Sequence, residues 1–384
     1  MVVKDKIKSF RRVKTQQEAR AINTKITAGS LHIVEPTLTG ESGHCFSFVS
    51  SLVYAAGDFP LSVWCGRKSA VSFPGNVRVK RLFVRRVRRL QSLWLYRHLL
   101  QSQDRIFVPT ADRTDLILFN LAAKGKIAHG KAYLFVHWFR PSPSKHSQLE
   151  KLARRQPGLV ILTSAESVFE EFRSAGFRDT RLVPYPVTPC ESTIPATEQH
   201  GFKHLLYAGA ARQDKGFRTV VDLVQLMAAD SADLPITLQT SADHYDKYDE
   251  ATKADLRRLE KCTYSHIRCV TETLPQAKYQ ALFSGAICLQ LYSRRDFIDR
   301  ISGITLDALS NGSPVLTLSG TWMARVVAQY EAGLVVDSSE PRVVYRAAKQ
   351  IVKRYEYYRE KAFQAGQELQ IQNSAAHLFN ELVS

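Results

Sequence analysis

The chain is an alternation of short apolar runs and longer segments whose apolar residues recur at helical spacing. Such runs are typical of strands buried on both faces of a parallel sheet, and the intervening pattern is typical of amphipathic helices. Since the alternation extends through both halves, we expect two doubly wound, Rossmann-like α/β domains that face each other across a cleft. In the first half the predicted strands are Leu31–Glu35, Leu61–Cys65, Asp115–Phe119, Ala132–His137, Leu159–Thr163 and Arg181–Pro184.

The second half continues the alternation around two loops, each followed by a helical segment. Glycines and cations mark the first loop, and an acid opens the second. The final stretch, Pro341–Ser384, is helical by its pattern. The other predicted elements are the strand Lys203–Ala208, the loop Gly209–Gly216, a helix from Phe217, the loop at Asp299, a helix opened by Gly303 and the strand Pro314–Leu318.

The length and the prolines indicate how these elements are divided. A chain of 384 residues is too long for one typical domain and fits two of about 190 residues. The stretch from Pro184 to Pro195 carries four prolines and little periodicity, so we place the linker there. The predicted units are residues 1–190, 195–345 and 346–384.

The composition favours a protein of the cytoplasm. An apolar content of 45% suffices for two buried cores. No run of 18 or more apolar residues is present, and residues 1–8 lack the apolar core of a secretory signal. The six cysteines form no Cys-x-x-Cys pair, which favours free thiols over disulfides.

The positive charge is concentrated in one half of the chain. Residues 1–200 hold 31 Lys and Arg against 15 Asp and Glu, a balance of +16, out of a total of +17. The remaining residues are therefore close to neutral. An excess confined to one half indicates an anionic partner for that half.

Much of this excess lies in Arg78–Arg97, which we predict as one helix with a single apolar stripe. Such a helix is expected on an anionic lipid surface, but a stripe that packs on its own domain explains the pattern as well. Nucleic-acid binding is a third interpretation, and no nucleic-acid-binding signature accompanies it. The stripe is Phe83, Val87, Leu90 and Trp94, and the flanking cations include Arg81, Arg85, Arg86, Arg88 and Arg89.

The loop Gly209–Gly216 suits a pyrophosphate. Backbone amides and a helix N-terminus after a strand attract such an anion. Arg212 adds a forked donor and Lys215 a point charge. Taken alone, the loop is also explained as an ordinary turn with solvated charges. A second segment of this kind, about 90 residues later, favours a binding loop.

That second segment places two carboxylates, Asp299 and Asp307, eight positions apart on a loop and on the helix that follows it. Both can face one ligand beyond the carboxyl ends of a parallel sheet. The two segments together resemble the donor site of retaining, nucleotide-sugar-dependent glycosyltransferases of the GT-B fold, of the group 1 or family 4 type. In that family two Glu take these positions, and a Gly…Arg…Lys-Gly signature occupies the earlier loop. Here both acids are Asp, and Arg212 stands closer to Lys215 than in the commonest version.

The resemblance implies a role for each matched residue. Arg212 and Lys215 would contact the donor diphosphate, and Asp307 would accept the ribose hydroxyls. Asp299 would stand near the donor sugar as a catalytic residue. Residues 1–190 would form the acceptor side, 195–345 the donor side, and helices in 346–384 would pack back on the first domain. The residues assigned to the donor are Gly209, Arg212, Lys215, Gly216, Ser302, Gly303 and Asp307.

The first half carries the resemblance more weakly. The loop that ends in Gly43-His44 looks like the glycine-rich loop between donor phosphate and acceptor in these enzymes. The segment Phe135-Val136-His137-Trp138 looks like the strand end whose His contacts the donor sugar. A hydrogen-bonded structural His is the alternative interpretation of His137.

No metal and no other cofactor is expected. The chain contains no Asp-x-Asp pair, with which sugar transferases of the other major fold hold Mn²⁺ on the diphosphate. Arg212 and Lys215 would offset the phosphate charge instead. The expected partners are a nucleotide-sugar donor, a glycan or lipid-linked acceptor and an anionic membrane surface, at the inner face of the membrane; no nucleic acid is expected.

Three functions are open on this basis. The first is a glycosyltransferase of the hexosyltransferase type, as in polysaccharide biosynthesis. The second is a nucleotide-sugar epimerase, because one fold carries several chemistries, although this leaves the basic half unexplained. The third is a non-catalytic relative that binds a nucleotide sugar, which the replacement of both Glu by Asp leaves open.

Overall fold

The computed structural model describes residues 29–41, 43–187, 201–242, 247–272 and 274–384. The N-terminal segment 1–8 and the part of the predicted linker that follows Val187 lie outside these residues.

Within the described residues, seven parallel strands form the first sheet, in the order β3-β2-β1-β4-β5-β6-β7. Helices lie on both faces, and each face has its own apolar core. The strands are β1 (Leu31–Val34), β2 (Leu61–Gly66), β3 (Arg78–Phe83), β4 (Arg105–Val108), β5 (Ala132–Phe135), β6 (Val160–Thr163) and β7 (Asp179–Leu182). The helices are α1 (Gly43–Ala56), α2 (Arg88–Leu99), α3 (Arg113–Ala122), α4 (Pro143–Arg155) and α5 (Glu166–Ser174).

The second sheet has six parallel strands in the described part of the chain, in the order β10-β9-β8-β11-β12-β13. It too is covered on both faces. Its strands are β8 (His204–Tyr207), β9 (Ile236–Gln239), β10 (Ile267–Val270), β11 (Ala286–Gln290), β12 (Val315–Leu318) and β13 (Gly333–Val336). Its helices are α6 (Phe217–Ala229), α7 (Glu250–Glu260), α8 (Gln276–Ala281), α9 (Gly303–Ser310), α10 (Trp322–Tyr330), α11 (Pro341–Lys353) and α12 (Tyr355–Gln372).

The prediction of two doubly wound α/β domains is confirmed. In each sheet the strand order reverses at one place, between β1 and β4 and between β8 and β11. Loops that leave the two strands at such a point run to opposite faces, so a crevice opens beyond their carboxyl ends. The loop Gly209–Gly216 follows β8 and the loop of Asp299 follows β11, so both border the crevice of the second sheet.

The last helix, α13 (Ala375–Val383), belongs to the first domain. It contributes Leu378 and Leu382 to the core on one face of the first sheet. Arg105 on β4 binds its end, because its guanidinium donates to the Leu382 carbonyl at 2.7 Å. The predicted return of the C-terminal tail is thus observed for α13, whereas α11 and α12 pack on the second domain.

The chain crosses between the domains at two places that lie side by side. On the outward crossing, Val187 donates its N–H to the Asn373 carbonyl on the return crossing at 2.9 Å. The amide of Tyr185 donates to the Asn373 side chain at 3.2 Å. The two crossings are therefore hydrogen-bonded to each other.

The predicted strand Asp115–Phe119 is wrong, because these residues lie in α3. Asp112 caps that helix by accepting the N–H groups of Thr114 and Asp115, and Asp115 bonds back to the Asp112 N–H. A short apolar run does not distinguish a buried strand from a buried helix turn. The strand of this region is β4, which begins just after Asp104.

The single helix predicted for Arg78–Arg97 is also wrong. The segment forms the edge strand β3, a turn whose Val87 N–H donates to the Val84 carbonyl, and then α2. Phe83 is the last residue of β3 and its side chain is buried, whereas Leu90 and Trp94 are exposed on α2. The three residues therefore do not form one apolar face. The helical spacing of the four apolar residues is a coincidence, because they belong to different elements. Strand residues alternate between faces with a period of two and do not continue the face of the following helix.

Arg81 on β3 forms hydrogen bonds within its own domain. Its guanidinium donates to the carbonyls of Ser69 at 2.8 Å and Val71 at 3.0 Å. It therefore holds the loop after β2 in place and does not belong to an anion-binding surface helix.

A close contact between α9 and α12 positions the segment that carries Asp307. A Cβ atom on Gly366 would lie 2.4 Å from the Leu309 carbonyl oxygen. We expect Gly366→Ala to lower the free energy of unfolding by about 2 kcal/mol. Alanine favours a helix by only about 1 kcal/mol, so the overlap decides the sign.

Thermal and urea unfolding of Gly366→Ala measure this effect. Gly125→Ala is the matched control, because its Cβ would meet nothing within 4 Å. The control should change the stability by less than about 0.5 kcal/mol. Equal stabilities of the two variants would contradict the close packing of α9 on α12.

Candidate functional site

A cavity lies between the two domains, at the crevices of both sheets. On the first domain it is lined by residues that include Gly43, His44 and His137. On the second domain the lining includes Arg212 and Asp307. The structure thus brings most of the predicted site residues to one place.

The loop after β8 is held by two glycines. Gly209 has a φ of +94°, and its N–H donates to the Gln239 side chain at 2.7 Å. Gly216 has a φ of +73°, and a Cβ there would lie 2.1 Å from the Leu291 carbonyl oxygen. Only glycine fits at Gly216, both by its backbone conformation and by this contact. The loop is therefore fixed against the end of β11, next to the cavity.

Arg212 and Lys215 place positive charge in this loop. The Nε of Arg212 donates to Asp214 at 2.9 Å, and the pair makes a second contact through Nη2. Within the described residues no carboxylate lies at ion-pairing distance from the Lys215 ammonium. Burial, with Arg212 nearby, lowers the pKa of Lys215 to about 8. The more distant Asp214 offsets this only in part, so a bound anion would stabilise the charged form of Lys215.

The N-terminus of α9 opens into the same cavity. Ser302 caps the helix, because its Oγ accepts the Thr305 N–H at 3.4 Å. Gly303 adds no Cβ to this surface, and a Cβ there would meet nothing within 4 Å. Ser302 and Gly303 both line the cavity. Their backbone amides and the helix dipole therefore face the region that Lys215 borders, as suits a phosphate.

Asp307 lies about one turn after the start of α9. Its Oδ2 accepts a hydrogen bond from the Tyr279 hydroxyl at 3.0 Å. Burial raises the pKa of Asp307 to about 6. The carboxylate is still ionised at neutral pH, so it remains an acceptor for hydroxyl groups.

Asp299 does not lie beside Asp307 in the cavity. Its Oδ2 accepts the N–H of Ser167 at 2.5 Å, in the first turn of α5 on the other domain. A carboxylate is stabilised at a helix N-terminus, where amides are left without helical partners. The expectation that both acids face one ligand therefore fails in this arrangement, and Asp299 contacts the first domain instead.

His137 follows β5 and is enclosed by rings, among them Phe48 at 5.4 Å and Tyr185 at 5.8 Å between centroids. Its Nε2 lies 2.8 Å from the Pro109 carbonyl and donates to it. Nδ1 is then the unprotonated acceptor. Burial, followed by His44, lowers the pKa of His137 to about 3, so the ring is neutral at physiological pH. It suits a fixed hydrogen-bond acceptor and not a group that exchanges protons near pH 7.

Gly43 and His44 begin α1 at the edge of the cavity. Gly43 has a φ of +80°, which turns the chain into the helix. The rings of His44 and His137 meet edge to face, with centroids 6.4 Å apart. The two residues thus lie next to His137, on the wall opposite Lys215.

Much of the basic stretch of the first domain faces the cavity. Arg85 and Arg86 on the turn after β3, and Arg88 at the start of α2, line it together with Arg67 and Lys68. Arg89 and Trp94 are exposed and do not line it. The charge that the sequence assigned to a surface helix is therefore divided between the cleft and the outer side of α2.

Three further residues of the cavity were missed in the sequence. Arg300 adjoins Asp299, Tyr185 lies at the start of the predicted linker, and Tyr279 lies on a short helix. The only sequence signal for Arg300 was its place inside the acid-bearing segment. Tyr185 and Tyr279 gave none, because their positions depend on how the domains and α8 pack.

Two classes of feature are absent from the residues that the structure describes. No group of three or more His, Cys, Asp or Glu is placed to hold a metal ion in this part of the chain. Nor do the described ranges include a helix whose length and apolar character would allow it to cross a membrane.

Comparison with known proteins identifies the architecture. No family model and no curated protein matches the chain in sequence. Sucrose-phosphate synthase from Thermosynechococcus elongatus is 13% identical, with a TM-score of 0.66, over 92% of this chain and 98% of that chain. WaaG, a glycosyltransferase involved in lipopolysaccharide biosynthesis, is 13% identical, with a TM-score of 0.62, over 92% and 100%. HepE from Anabaena, solved in complex with UDP-glucose, is 10% identical, with a TM-score of 0.65, over 92% and 98%.

These neighbours are GT-B glycosyltransferases. The fold of this chain is GT-B. In this GT-B fold, the cavity between the two domains is lined by Arg212 and Lys215 of the second domain on one wall and by His137 of the first domain on the other. At identities this low, the likeness establishes the fold and leaves the reaction to the chemistry of the cavity.

If Lys215 binds an anion, its lowered pKa predicts that the affinity depends on pH. Free Lys215 loses its proton near pH 8, whereas a bound diphosphate keeps it charged. We expect the affinity for UDP to fall as the pH rises above about 8, with uptake of a proton on binding. The phosphates of UDP have completed their last ionisation by then, since that pKa is about 6.

Calorimetric titration with UDP at several pH values, in two buffers of different ionisation enthalpy, measures both effects. Lys215→Arg is the matched variant, because Arg stays charged up to about pH 12 and should remove the pH dependence. An affinity of the unmodified protein that is constant from pH 7 to about 9 would contradict the role of Lys215.

Proposed function

We propose that this GT-B protein is a glycosyltransferase that moves a hexosyl unit from a nucleoside-diphosphate sugar to a glycan or lipid-linked acceptor. The observation that carries the proposal is the convergence of Arg212, Lys215 and the N-terminus of α9 on one wall of the cavity. The neutral His137 stands on the opposite wall. A diphosphate fits the first wall, and a sugar attached to it would extend toward the second.

The donor site supplies a physical basis for the transfer step. When the bond between sugar and diphosphate breaks, negative charge grows on the β-phosphate. Arg212, Lys215 and the amides at Ser302 and Gly303 stabilise that charge more strongly in the transition state than in the bound donor. The loop that carries Arg212 and Lys215 is fixed by the contacts of Gly209 and Gly216, and the amides at Ser302 and Gly303 are fixed by α9, so little reorganisation is needed. The proposed reaction uses no metal ion, because these cations take over the neutralisation of charge.

Asp307 and His137 orient the two ends of the donor in this proposal. Asp307 accepts the ribose hydroxyls, and the unprotonated Nδ1 of His137 accepts a hydroxyl of the sugar. Gly43 and His44, which line the cavity, are proposed to stand between donor and acceptor. Retention of the anomeric configuration is part of the proposal through the family resemblance. The complex of HepE with UDP-glucose makes uridine the first base to test.

The acceptor is proposed to be anionic. Arg85, Arg86 and Arg88 line the acceptor wall of the cavity, where a phosphate or carboxylate would offset their charge. A lipid-diphosphate-linked glycan or an acidic polysaccharide precursor has this chemistry. We place the enzyme in the cytoplasm, with peripheral contact to the inner face of the membrane through Leu90 and Trp94, which are 69% and 59% exposed on α2.

One observation favours a non-catalytic sugar-nucleotide binder as the second candidate. The carboxylate of Asp299, which the resemblance assigns to the sugar, bonds to Ser167 of the other domain. A binder keeps the diphosphate site and lacks transfer. The epimerase alternative gains no support, since it needs carboxylate bases around the sugar and Asp299 is engaged elsewhere.

Calorimetric titration with UDP, GDP, ADP and CMP tests the donor site. We expect one nucleoside diphosphate to bind with a dissociation constant in the micromolar range, and Lys215→Ala to weaken it by roughly tenfold to a hundredfold, as for a lost charged hydrogen bond. Lys261→Ala, at an exposed position after α7, is the control and should leave the affinity unchanged. If none of the four binds, the proposed function is wrong. Binding without hydrolysis or transfer of the sugar, with acceptor extracts present, favours the non-catalytic binder.

Co-sedimentation with lipid vesicles tests the membrane contact. We expect the protein to bind anionic vesicles at low salt, to come off at high salt, and to ignore neutral vesicles, because the attraction of surface charges is screened. The double variant Leu90→Ala, Trp94→Ala should bind severalfold more weakly. Ile371→Ala, which removes a side chain 73% exposed on α12, is the matched control. Equal sedimentation with neutral and anionic vesicles would contradict this placement.

A further inference from the structure

Arg300 extends from the loop after β11 into the cavity and meets the first domain. Its guanidinium carbon lies 5.4 Å from the centre of the Trp138 ring and 5.0 Å from that of Phe297. Trp138 belongs to the segment that carries His137, and Phe297 to the loop of Arg300 itself. Contact with two rings restricts the guanidinium while leaving its N–H donors directed along its own plane.

The acids nearest to Arg300 are all engaged by other groups. Asp214 pairs with Arg212, and Asp296 pairs with Arg140.

Asp299, the neighbour of Arg300 in the chain, bonds to the Ser167 N–H. Within the described residues, no carboxylate is within ion-pairing distance of the Arg300 guanidinium. Its pKa is lowered by burial and then by Arg212. A partly buried arginine without an acid is costly unless a ligand supplies the anion.

The position of Arg300 along the cleft indicates which part of a ligand it meets. The charge of Arg212, on the side of the proposed diphosphate site, helps to lower the pKa of Arg300. The charge of Arg300 in turn helps to lower the pKa of His137, on the opposite wall. It therefore lies between the group that holds the diphosphate and the group proposed to meet the sugar, where the transferred sugar itself would be. The acceptor cations Arg85 and Arg86 lie on the first-domain wall and come from a different segment.

We infer that Arg300 binds a carboxylate on the transferred sugar, so that the preferred donor is a nucleoside-diphosphate hexuronate. The inference rests on the proposed function and makes it more specific. A forked guanidinium matches a carboxylate with two parallel hydrogen bonds. A neutral hexose would leave the guanidinium without an anion, and its hydroxyls would lose the acceptor that Asp299 provides in the family pattern. Asp299 is turned to Ser167 and Arg300 lines the cavity, so a base and not an acid meets the sugar, which favours an acidic sugar.

Matched donor pairs test this inference by calorimetric titration. UDP-glucose is compared with UDP-glucuronate, and GDP-mannose with GDP-mannuronate, so that each pair differs by one carboxylate. In the pair whose bare nucleotide binds, the hexuronate should bind roughly tenfold to a hundredfold more tightly, as for a hydrogen bond between two charged groups. Arg300→Gln should reduce this ratio to within about twofold and leave the affinity for UDP or GDP unchanged. Arg300→Lys should keep part of the ratio, because it keeps the charge and loses the fork.

Arg295→Gln is the control, since Arg295 is exposed in the same loop and does not line the cavity. A hexose that binds the unmodified protein as tightly as its hexuronate overturns the inference, whatever the variants do. An equal loss of affinity for bare nucleotide and both sugars in Arg300→Gln also overturns it, because Arg300 then holds the diphosphate. If Arg300→Gln changes the affinity for none of the donors, Arg300 does not contact the donor, and the inference is wrong. Failure of all four nucleotides (UDP, GDP, ADP and CMP) to bind contradicts the donor site, and with it the inference; binding of a bare nucleotide with no preference for the hexuronate contradicts the inference alone.

Discussion

The reversal of strand order in each parallel sheet determines where the groups that line the cleft lie. At such a point the loops from two adjacent strands run to opposite faces and leave a crevice that side chains cannot fill. The crevice beside β8 and β11 receives Lys215 and the start of α9, and the crevice of the first sheet faces it. The helices and their apolar cores hold these two edges rigid. Close contacts at Gly216 and Gly366 leave the donor-side loops little freedom to move.

Positive charge on both walls of the cleft is the second organising feature. Some of these cations form salt bridges with nearby acids, as Arg212 does with Asp214 and Arg140 with Asp296. Lys215 and Arg300 keep their charge with no acid within ion-pairing distance in the described chain, and burial lowers the pKa of both. Such an arrangement opposes folding in the absence of ligand, and a bound anion relieves it. The stability of the folded protein and the affinity for an anionic substrate are therefore coupled.

How far the sequence predicts this structure depends on whether local or long-range contacts decide each feature. Strand and helix alternation, the loop Gly209–Gly216 and the helix after Gly303 follow from local pattern and turn chemistry, and the structure has them. The helix predicted for Arg78–Arg97 failed because the spacing of four apolar residues also fitted a strand followed by a turn. The roles of Asp299 and Arg300 depend on the approach of the other domain, through Ser167 and Trp138, which no local pattern encodes. The sequence therefore predicts which residues lie near the cleft, but it does not predict the direction in which each side chain extends.

The placement of α13 makes the first domain discontinuous in sequence, with the second domain inserted into it. The core that contains Ile33, Phe48 and Leu162 is completed by Leu378 and Leu382. The last helix of the second domain ends at Gln372, whereas the first domain lacks part of its core until residues 375–383 have been made. Although its strands are synthesised first, the first domain can therefore complete the core beside α1 only after every element of the second domain has been made.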